Sequence, residues 1–483
     1  MYLTLIAFAA YSIAVLAIGL NAARRSASSK EDVHLASREH GIWTSALSTS
    51  ASTESGFVLL GMVGMAYTFG VSCFWMIPAG ILGYVLNWFV LAPRIRHRSE
   101  ALEAVTIPEY IALSTGGSRL SFIASSAASF FSVIFLLAYV SAQFSAAGKA
   151  LSSQFPLTYG AGVLVAAGII AAYAVLGGFR AVSWTDNLQA VMMVAALILL
   201  PAIIVGKLDG FPSLLQVLHS KDPALTSLTG EASTSGDALM VIVPWLMIGL
   251  GYPGQPHGVI RLMATRDRRV IRIAPYIAIL WLTIIYSGAI VLGLAARAGY
   301  EHLSGIATDP ETALPVLAVE LLPGILAGVT LAAIIAAISS TADSTLLSAS
   351  STVTRDIRES LHIPRLKNEL LVERLVIVTL AALSTWFAVK QTHIVFAFVL
   401  YAFFGLGASL GPVIMYCSLI SRPRPLPALC GVLAGGILTI VTQPLKLGFL
   451  VSLGGSILAL IIVHVIVSKR GRPVVPVSRK LTE

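Results

Sequence analysis

Long apolar runs of about twenty residues, nearly free of charge, recur along this chain and constrain its fold more than any other feature. At about 1.5 Å rise per residue, some twenty helical residues cross the ~30 Å hydrocarbon layer of a bilayer. Thirteen such runs can be marked, at roughly 3–21, 43–70, 72–92, 122–148, 157–177, 186–206, 238–258, 273–296, 324–350, 375–391, 393–419, 427–445 and 448–468. Of the 483 residues, 57% are hydrophobic and 11% charged, against about 25% charged in a soluble domain. A water-soluble interior could not take up that much apolar surface. The chain reads as an all-α membrane protein, one domain over 1–483, with about 13 transmembrane helices. The first run has no basic stretch before it, and its first cations, Arg24 and Arg25, come after it. It is expected to be a retained span rather than a signal peptide.

The net charge of +9 raises the possibility of nucleic-acid binding, but its distribution points elsewhere. With loop 22–42 placed in the cytoplasm, 26 of the 32 Lys and Arg fall on that side, including five in 259–272 and five in the tail 469–483. Only Lys149, Lys207, Lys221, Arg297, Lys390 and Lys446 fall outside. This is the positive-inside bias of a multi-pass protein of the cell inner membrane, with its N-terminus outside and its C-terminus cytoplasmic. The cations then lie beside anionic lipid, and no nucleic-acid partner is expected. The outer loops 207–237 and 297–323 are expected to form short ordered or interfacial pieces.

Cys73, Cys417 and Cys430 lie in apolar runs with no CxxC pair, so neither a disulfide framework nor a structural metal site is indicated. No nucleophile elbow, Walker, Rossmann or zinc motif is present, and the chain does not read as an enzyme. No obligate protein partner is evident.

Two runs carry what a plain lipid-facing helix avoids. Span 2 opens its apolar part with STSASTESG, and span 7 crowds Gly249, Gly251, Pro253, Gly254 and Pro256 together. Proline removes a backbone donor and glycine weakens the helix. At membrane depth the freed groups need protein, water or an ion. The two interruptions are five spans apart, as expected if spans 2–6 and 7–11 are repeats, and paired interruptions point to a transporter's central site. Three acids, Glu54, Asp186 and Asp343, also fall within spans, at about 2.5–3.5 kcal/mol each on insertion scales. Asp186 stands at the start of span 6, where it could face water or cap a helix. Asp343 sits in the hydroxyl run SSTADSTLLSASS, the kind of oxygen-rich surroundings a hard cation prefers.

Four stretches carry a family resemblance. GGFRAVSWTDNLQAVMM at 177–193 resembles the signature of the sodium/solute symporter family, most similar to its sodium/proline symporters. SASTESGFVLLGMVG at 50–64, GLGYPGQPHGVIRLMA at 249–264 and AAISSTADSTLLSASS at 336–351 resemble that group's second-, seventh- and ninth-span motifs. The resemblance implies a LeuT-type five-helix inverted repeat with extra terminal helices: a first repeat about 43–206, a second about 238–419, C-terminal helices about 427–468 and a basic tail 469–483. It implies a sodium site from the carbonyls of Ala51, Glu54 and Ala337 and the hydroxyls of Ser340 and Thr341. Ala337, Ser340 and Thr341 indeed share one helix face. A second sodium site, found in some members, maps onto Asp186, Ser340, Asp343 and Ser344. Substrate maps onto Ser55, Gly56, Tyr252, Gln255 and Pro256, with Glu54 as the nearest acid for an ammonium group. The pattern departs at two places: Ile248 stands where a Trp is usual, with Trp245 one turn earlier, and Thr53-Glu54 replaces Asp-Met.

The expected activity is sodium-coupled uptake of a small amino acid, proline or similar, by alternating access, with sodium as the coupling ion. The alternatives are sodium-coupled symport of a pantothenate-like acid or a monocarboxylate, and a transporter-like membrane sensor.

Overall fold

The computed structural model describes residues 2–25, 35–303, 305–358, 368–390, 395–442, 445 and 447–469. Apart from run ends and from interruptions within spans 2 and 7, each expected run lies on helix among the described residues. Ten helices among the described residues are long and apolar enough to cross a membrane. The stretch Phe57–Ala101 counts once among them, although it contains the second half of span 2 and all of span 3, parted by a turn over Gly70–Trp75. Span 1 (Tyr2–Arg25) and the shorter apolar helix Tyr159–Ala172 of span 5 complete the set. Beyond Lys469 the basic tail lies outside the described residues.

Burial grades the spans from centre to lipid. Span 9, Gly324–Ser351, is the most enclosed, with 83% of its apolar window buried, against 28% for span 10 and 22% for span 13. The hydroxyl-rich half of span 9 is therefore central, and its serines and threonines face protein rather than lipid.

Two boundaries differ from the sequence expectation, and both move functional side chains. Spans 5 and 6 are separated only by Gly178, whose φ of 60° lies in the left-handed region that glycine adopts without strain. Span 6 therefore starts at about residue 179, not 186. Asp186 lies two turns into the helix and is fully buried, so it neither caps the helix nor faces water. Span 7 likewise continues past 258 as the helix Pro256–Met263, which carries Arg261 into the interior instead of leaving it in a loop.

The outer loops are ordered, as expected: 207–237 holds the helix Phe211–Lys221, and 297–323 holds Ala313–Leu321. Ahead of the latter, buried Glu311 accepts from the amides of Val395 and Phe396 at 2.9 Å each and pairs with Lys149 at 2.6 Å. One carboxylate thus caps the start of span 11, where an anion suits the helix dipole, and ties it to span 4. On the side of the arginine-rich turns, buried Arg38 donates to Met263 O at 2.8 Å and Ala104 O at 3.0 Å, satisfying carbonyls at the end of span 7 and in the turn after span 3.

Spans 6 and 8 approach closely because Gly288 lacks a side chain: a Cβ there would run into the Leu197 carbonyl. Gly168 has nothing within 4 Å of that position. Gly288→Ala is expected to cost about 1–3 kcal/mol of stability, and Gly168→Ala to stay within about 0.5 kcal/mol of the parent. Melting of the detergent-solubilised protein compares them, and equal midpoints would contradict this packing.

Candidate functional site

Both interruptions are real breaks. In span 2 the helix Ile42–Thr53 ends at Glu54, which is extended (φ −95°, ψ 90°), and helical structure resumes at Phe57. In span 7 the helix Ser235–Leu250 passes into a short turn, Tyr252–Gly254, then extended Gln255 (φ −85°, ψ 103°), before Pro256–Met263. Pro256 takes a first helical position, where its missing N–H costs nothing. The breaks pack together, since a Cβ on Gly258 would lie 2.8 Å from Thr53 Cγ2.

Of the groups expected for the first ion site, those of Ala51, Ala337, Ser340 and Thr341 lie together across spans 2 and 9. Ser340 Oγ lies 2.6 Å from Ala51 O and 3.2 Å from Ala337 O, and Thr341 Oγ1 lies 3.4 Å from Ala51 O. Ala51, Ala337, Ser340 and Thr341 are all fully buried. Two carbonyl and two hydroxyl oxygens, all neutral, thus meet at one point. A sodium ion suits such a set, because each hydroxyl can turn its proton away and present a lone pair.

Glu54 is drawn toward a different cluster by its side chain. Its Oε1 accepts from Tyr252 at 2.6 Å and Tyr84 at 3.3 Å, and its Oε2 accepts from Tyr286 at 2.7 Å. Tyr252 and Tyr286 hydroxyls also lie 3.0 Å apart. These tyrosines come from spans 3, 7 and 8, and the ring of Tyr252 packs edge-on against Tyr84 and Phe403. Glu54 is fully buried with no cation among its described partners. Trp245 does not join this cluster; it packs against Phe69 and Phe396.

The other expected pocket residues line the two breaks. Gly56 N–H donates to Gln143 Oε1 at 3.1 Å, and Gln143 Nε2 donates to Ser55 Oγ at 3.1 Å, so one amide of span 4 bridges the open turn of span 2. Gln255 Nε2 donates to Gly251 O at 3.0 Å and Phe403 O at 2.9 Å. Two carbonyl partners fix which end is nitrogen, and the buried Oε1 has no hydrogen-bond partner among the described residues. It is an acceptor left open between the breaks.

A protein cation stands among the residues of the second expected ion site. Arg261 and Asp186 are buried together, with Nη2 2.9 Å from Asp186 Oδ2. The same Nη2 donates to Ser344 Oγ at 2.7 Å, Nε to Ser48 Oγ at 2.8 Å, and Nη1 to His257 O at 2.6 Å. Asp186 Oδ2 also accepts from Ser48 at 2.6 Å and Ser52 at 3.2 Å. The guanidinium stands 5.4 Å over the Phe179 ring. On span 9, Ser344 Oγ lies 2.5 Å from Ser340 O and 3.0 Å from Asp343 Oδ1, and Arg261 Nη2 bridges Ser344 to Asp186. In this arrangement one guanidinium nitrogen already takes Asp186 Oδ2 and Ser344 Oγ, two of the oxygens a second sodium would use.

Sequence reasoning missed Tyr84, Tyr286, Gln143, Ser48, Ser52 and Arg261. The available signal was weak for most. Arg261 stands one turn after His257, just past the span 7 break, and Gln143 is a lone amide in an apolar run.

Comparison with known proteins agrees with this architecture. The sequence matches the sodium:solute symporter family over residues 33–435. The high-affinity proline transporter PutP of Bacillus subtilis (strain 168) is 32% identical over 431 residues, covering 88% of this chain and 89% of that one. The sodium/proline symporter of Escherichia coli (strain K12) is 32% identical over 448 residues, covering 90% and 87%. Among solved structures, a substrate-bound, outward-open sodium-coupled sialic acid symporter superposes with a TM-score of 0.81 at 18% identity, covering 96% of this chain and 98% of that one. Mhp1, a nucleobase-cation-symport-1 family transporter in a closed conformation, gives 0.58 at 14% identity, covering 92% and 96%. The fold is the LeuT-type inverted repeat with added terminal helices, the architecture of sodium-coupled transporters. The chain belongs to the sodium:solute symporter family, with sodium as its coupling ion.

Removing one member of a buried ion pair strands the other, at about 3–5 kcal/mol, while replacing both with apolar groups is often neutral. Asp186→Ala should therefore lower the melting midpoint sharply, and Asp186→Leu combined with Arg261→Leu should recover most of the loss. Equal midpoints for the parent and Asp186→Ala would refute the pair.

Proposed function

We propose that this chain takes up a small amino acid, proline or a close analogue, across the cell inner membrane, driven by inward sodium movement. The carrying observation is the contact of Ser340 and Thr341 with the freed carbonyl of Ala51. Sodium held there would link the break of span 2 to span 9 and stabilise the arrangement that forms the substrate site. Substrate then closes the outer side, and inward opening releases both. Each charge moved inward gains about 2.3 kcal/mol per 100 mV of membrane potential. The charge bias of the loops supports an external N-terminus and a cytoplasmic C-terminus.

Substrate binds between the two breaks, at Ser55, Gly56, Tyr252, Gln255 and Pro256. Its carboxylate uses backbone N–H groups at a half-helix N-terminus. Its ammonium takes the carboxyl of Glu54 and the open Oε1 of Gln255. Proline is supported by the names of the relatives. A second amino acid is favoured by two positions, Ile248 and Glu54, where the proline pattern is broken. A buried acid at the pocket disfavours pantothenate-like acids and monocarboxylates, which bring a negative charge without an ammonium.

Reconstitution in liposomes, with labelled proline and competing amino acids, tests the reading directly: uptake should require an inward sodium gradient. In the same assay Ser340→Ala and Thr341→Ala should each raise the sodium concentration for half-maximal uptake several-fold, with smaller effects on substrate affinity at saturating sodium. Unchanged sodium dependence in both would remove the site.

Glu54→Gln keeps the size and one acceptor oxygen for the tyrosines but removes the charge. If Glu54 meets the substrate ammonium, substrate KM should rise at least about tenfold, equivalent to about 1.4 kcal/mol, with less change in sodium affinity. An unaltered KM would return Glu54 to a structural role among the tyrosines.

A further inference from the structure

We infer that Arg261 stands in for a second sodium ion, so that this chain couples a single sodium to each substrate; the inference rests on the sodium-symport reading of the site. The argument is one of shared oxygens. A second ion would need Asp186 and Ser344, and one guanidinium nitrogen, Nη2, already lies 2.9 Å from Asp186 Oδ2 and 2.7 Å from Ser344 Oγ. Arginine keeps its charge at any working pH and offers five N–H donors in a fixed fork. Here that fork is anchored at Nε to Ser48 and at Nη1 to His257 O, and its face is covered by Phe179. The charge is thus placed by contacts to spans 2, 6, 7 and 9 and is 1% exposed.

A tethered cation differs from sodium in one respect that matters for energetics. It neutralises Asp186 but cannot dissociate into the cytoplasm, so it adds nothing to the driving force. It also lies beside the first site without occupying it. Ser344 receives Arg261 and donates to Ser340 O, while the Ser340 hydroxyl remains with Ala51 and Ala337. The remaining oxygen of the acid, Asp186 Oδ1, is buried with no hydrogen-bond partner among the described residues. If the arginine side chain is removed, the acid, Ser48, Ser52 and Ser344 are left together without a cation, and sodium is the small cation at hand.

The test is equilibrium binding of radioactive sodium to the purified full-length protein without substrate, together with the sodium-to-substrate ratio from reversal potentials in proteoliposomes. The parent should bind one sodium per chain with a Hill coefficient near one and transport one per substrate. Arg261→Ala should raise the bound count toward two and the Hill coefficient above one. Adding Asp186→Asn to that variant should return the count to one. Arg261→Lys, which keeps a tethered charge, should stay at one. Two sodium ions in the parent would overturn the inference while leaving symport intact. A count of one in folded Arg261→Ala would also overturn it, because Asp186 would then bind no ion even when vacated. If Arg261→Ala does not fold, the parent count and coupling ratio decide alone. No sodium binding at all would overturn both this inference and the symport reading.

Discussion

A charge buried at membrane depth has to be answered by protein, and in this chain the Arg261–Asp186 pair is where that requirement organises the most structure. Neither group touches solvent. Coulomb attraction alone seldom offsets the desolvation of two ions, so the remaining donors and lone pairs must also be used. Ser48, Ser52, Ser344 and the His257 carbonyl do so for the guanidinium and for Asp186 Oδ2, from spans 2, 7 and 9, while Asp186 brings span 6 and keeps Oδ1 without a partner among the described residues. Four spans are thereby fixed against each other on the side of the arginine-rich turns. Any movement that opens that side must separate or carry along this pair, which makes it a natural point of closure.

The seam between spans 2 and 9 connects that closure to the ion site. Ser48 and Ser52 are one turn apart on span 2, with Ala51 between them; Ser340, Thr341 and Ser344 share a face of span 9. Ser344 reaches Arg261 with one lone pair and donates to Ser340 O, whose own hydroxyl holds the Ala51 carbonyl. A sodium ion at Ser340 and Thr341, as proposed above, would redirect hydroxyl protons within this chain of contacts. Sodium bound there would be coupled to the charge pair because both use the same two helix faces, without any long-range pathway being required.

The spans, the paired breaks and the hydroxyl-rich face of span 9 were legible in the sequence because each depends on local chemistry: apolar length, Pro and Gly, and the three- and four-residue spacing. The misplacements have equally local causes. Asp186 reads as lying near a helix end because a glycine turn one residue long gives no polar loop to count; Gly178 makes that turn by a positive φ. Arg261 was assigned to a loop because a cation among other cations looks like a topology signal, and only tertiary structure shows one of five turning inward. Tyr84 and Tyr286 had no signal, since a tyrosine in an apolar run reads equally as a membrane-interface residue. That they meet Glu54 depends on helices brought together from three parts of the chain.

The moved acid at the break of span 2 can be understood in the same terms. One residue along a helix is a rotation of about 100°. At position 53 the side chain still belongs to the helix: Thr53 back-bonds to Thr49 O at 2.9 Å and Ser50 O at 3.1 Å. At position 54 the backbone is already extended, and the side chain points across to Tyr84, Tyr252 and Tyr286. Moving the acid from 53 to 54 therefore transfers its charge from the end of the helix to the tyrosine cluster. The proposed sodium site would be untouched by such a change, because span 2 contributes to it only backbone carbonyls, those expected of Ala51 and Glu54, which any side chain would leave in place. On the proposed reading, ion coupling and substrate choice would be written in different parts of the same break, backbone for one and side chain for the other, so that the second could change while the first is kept.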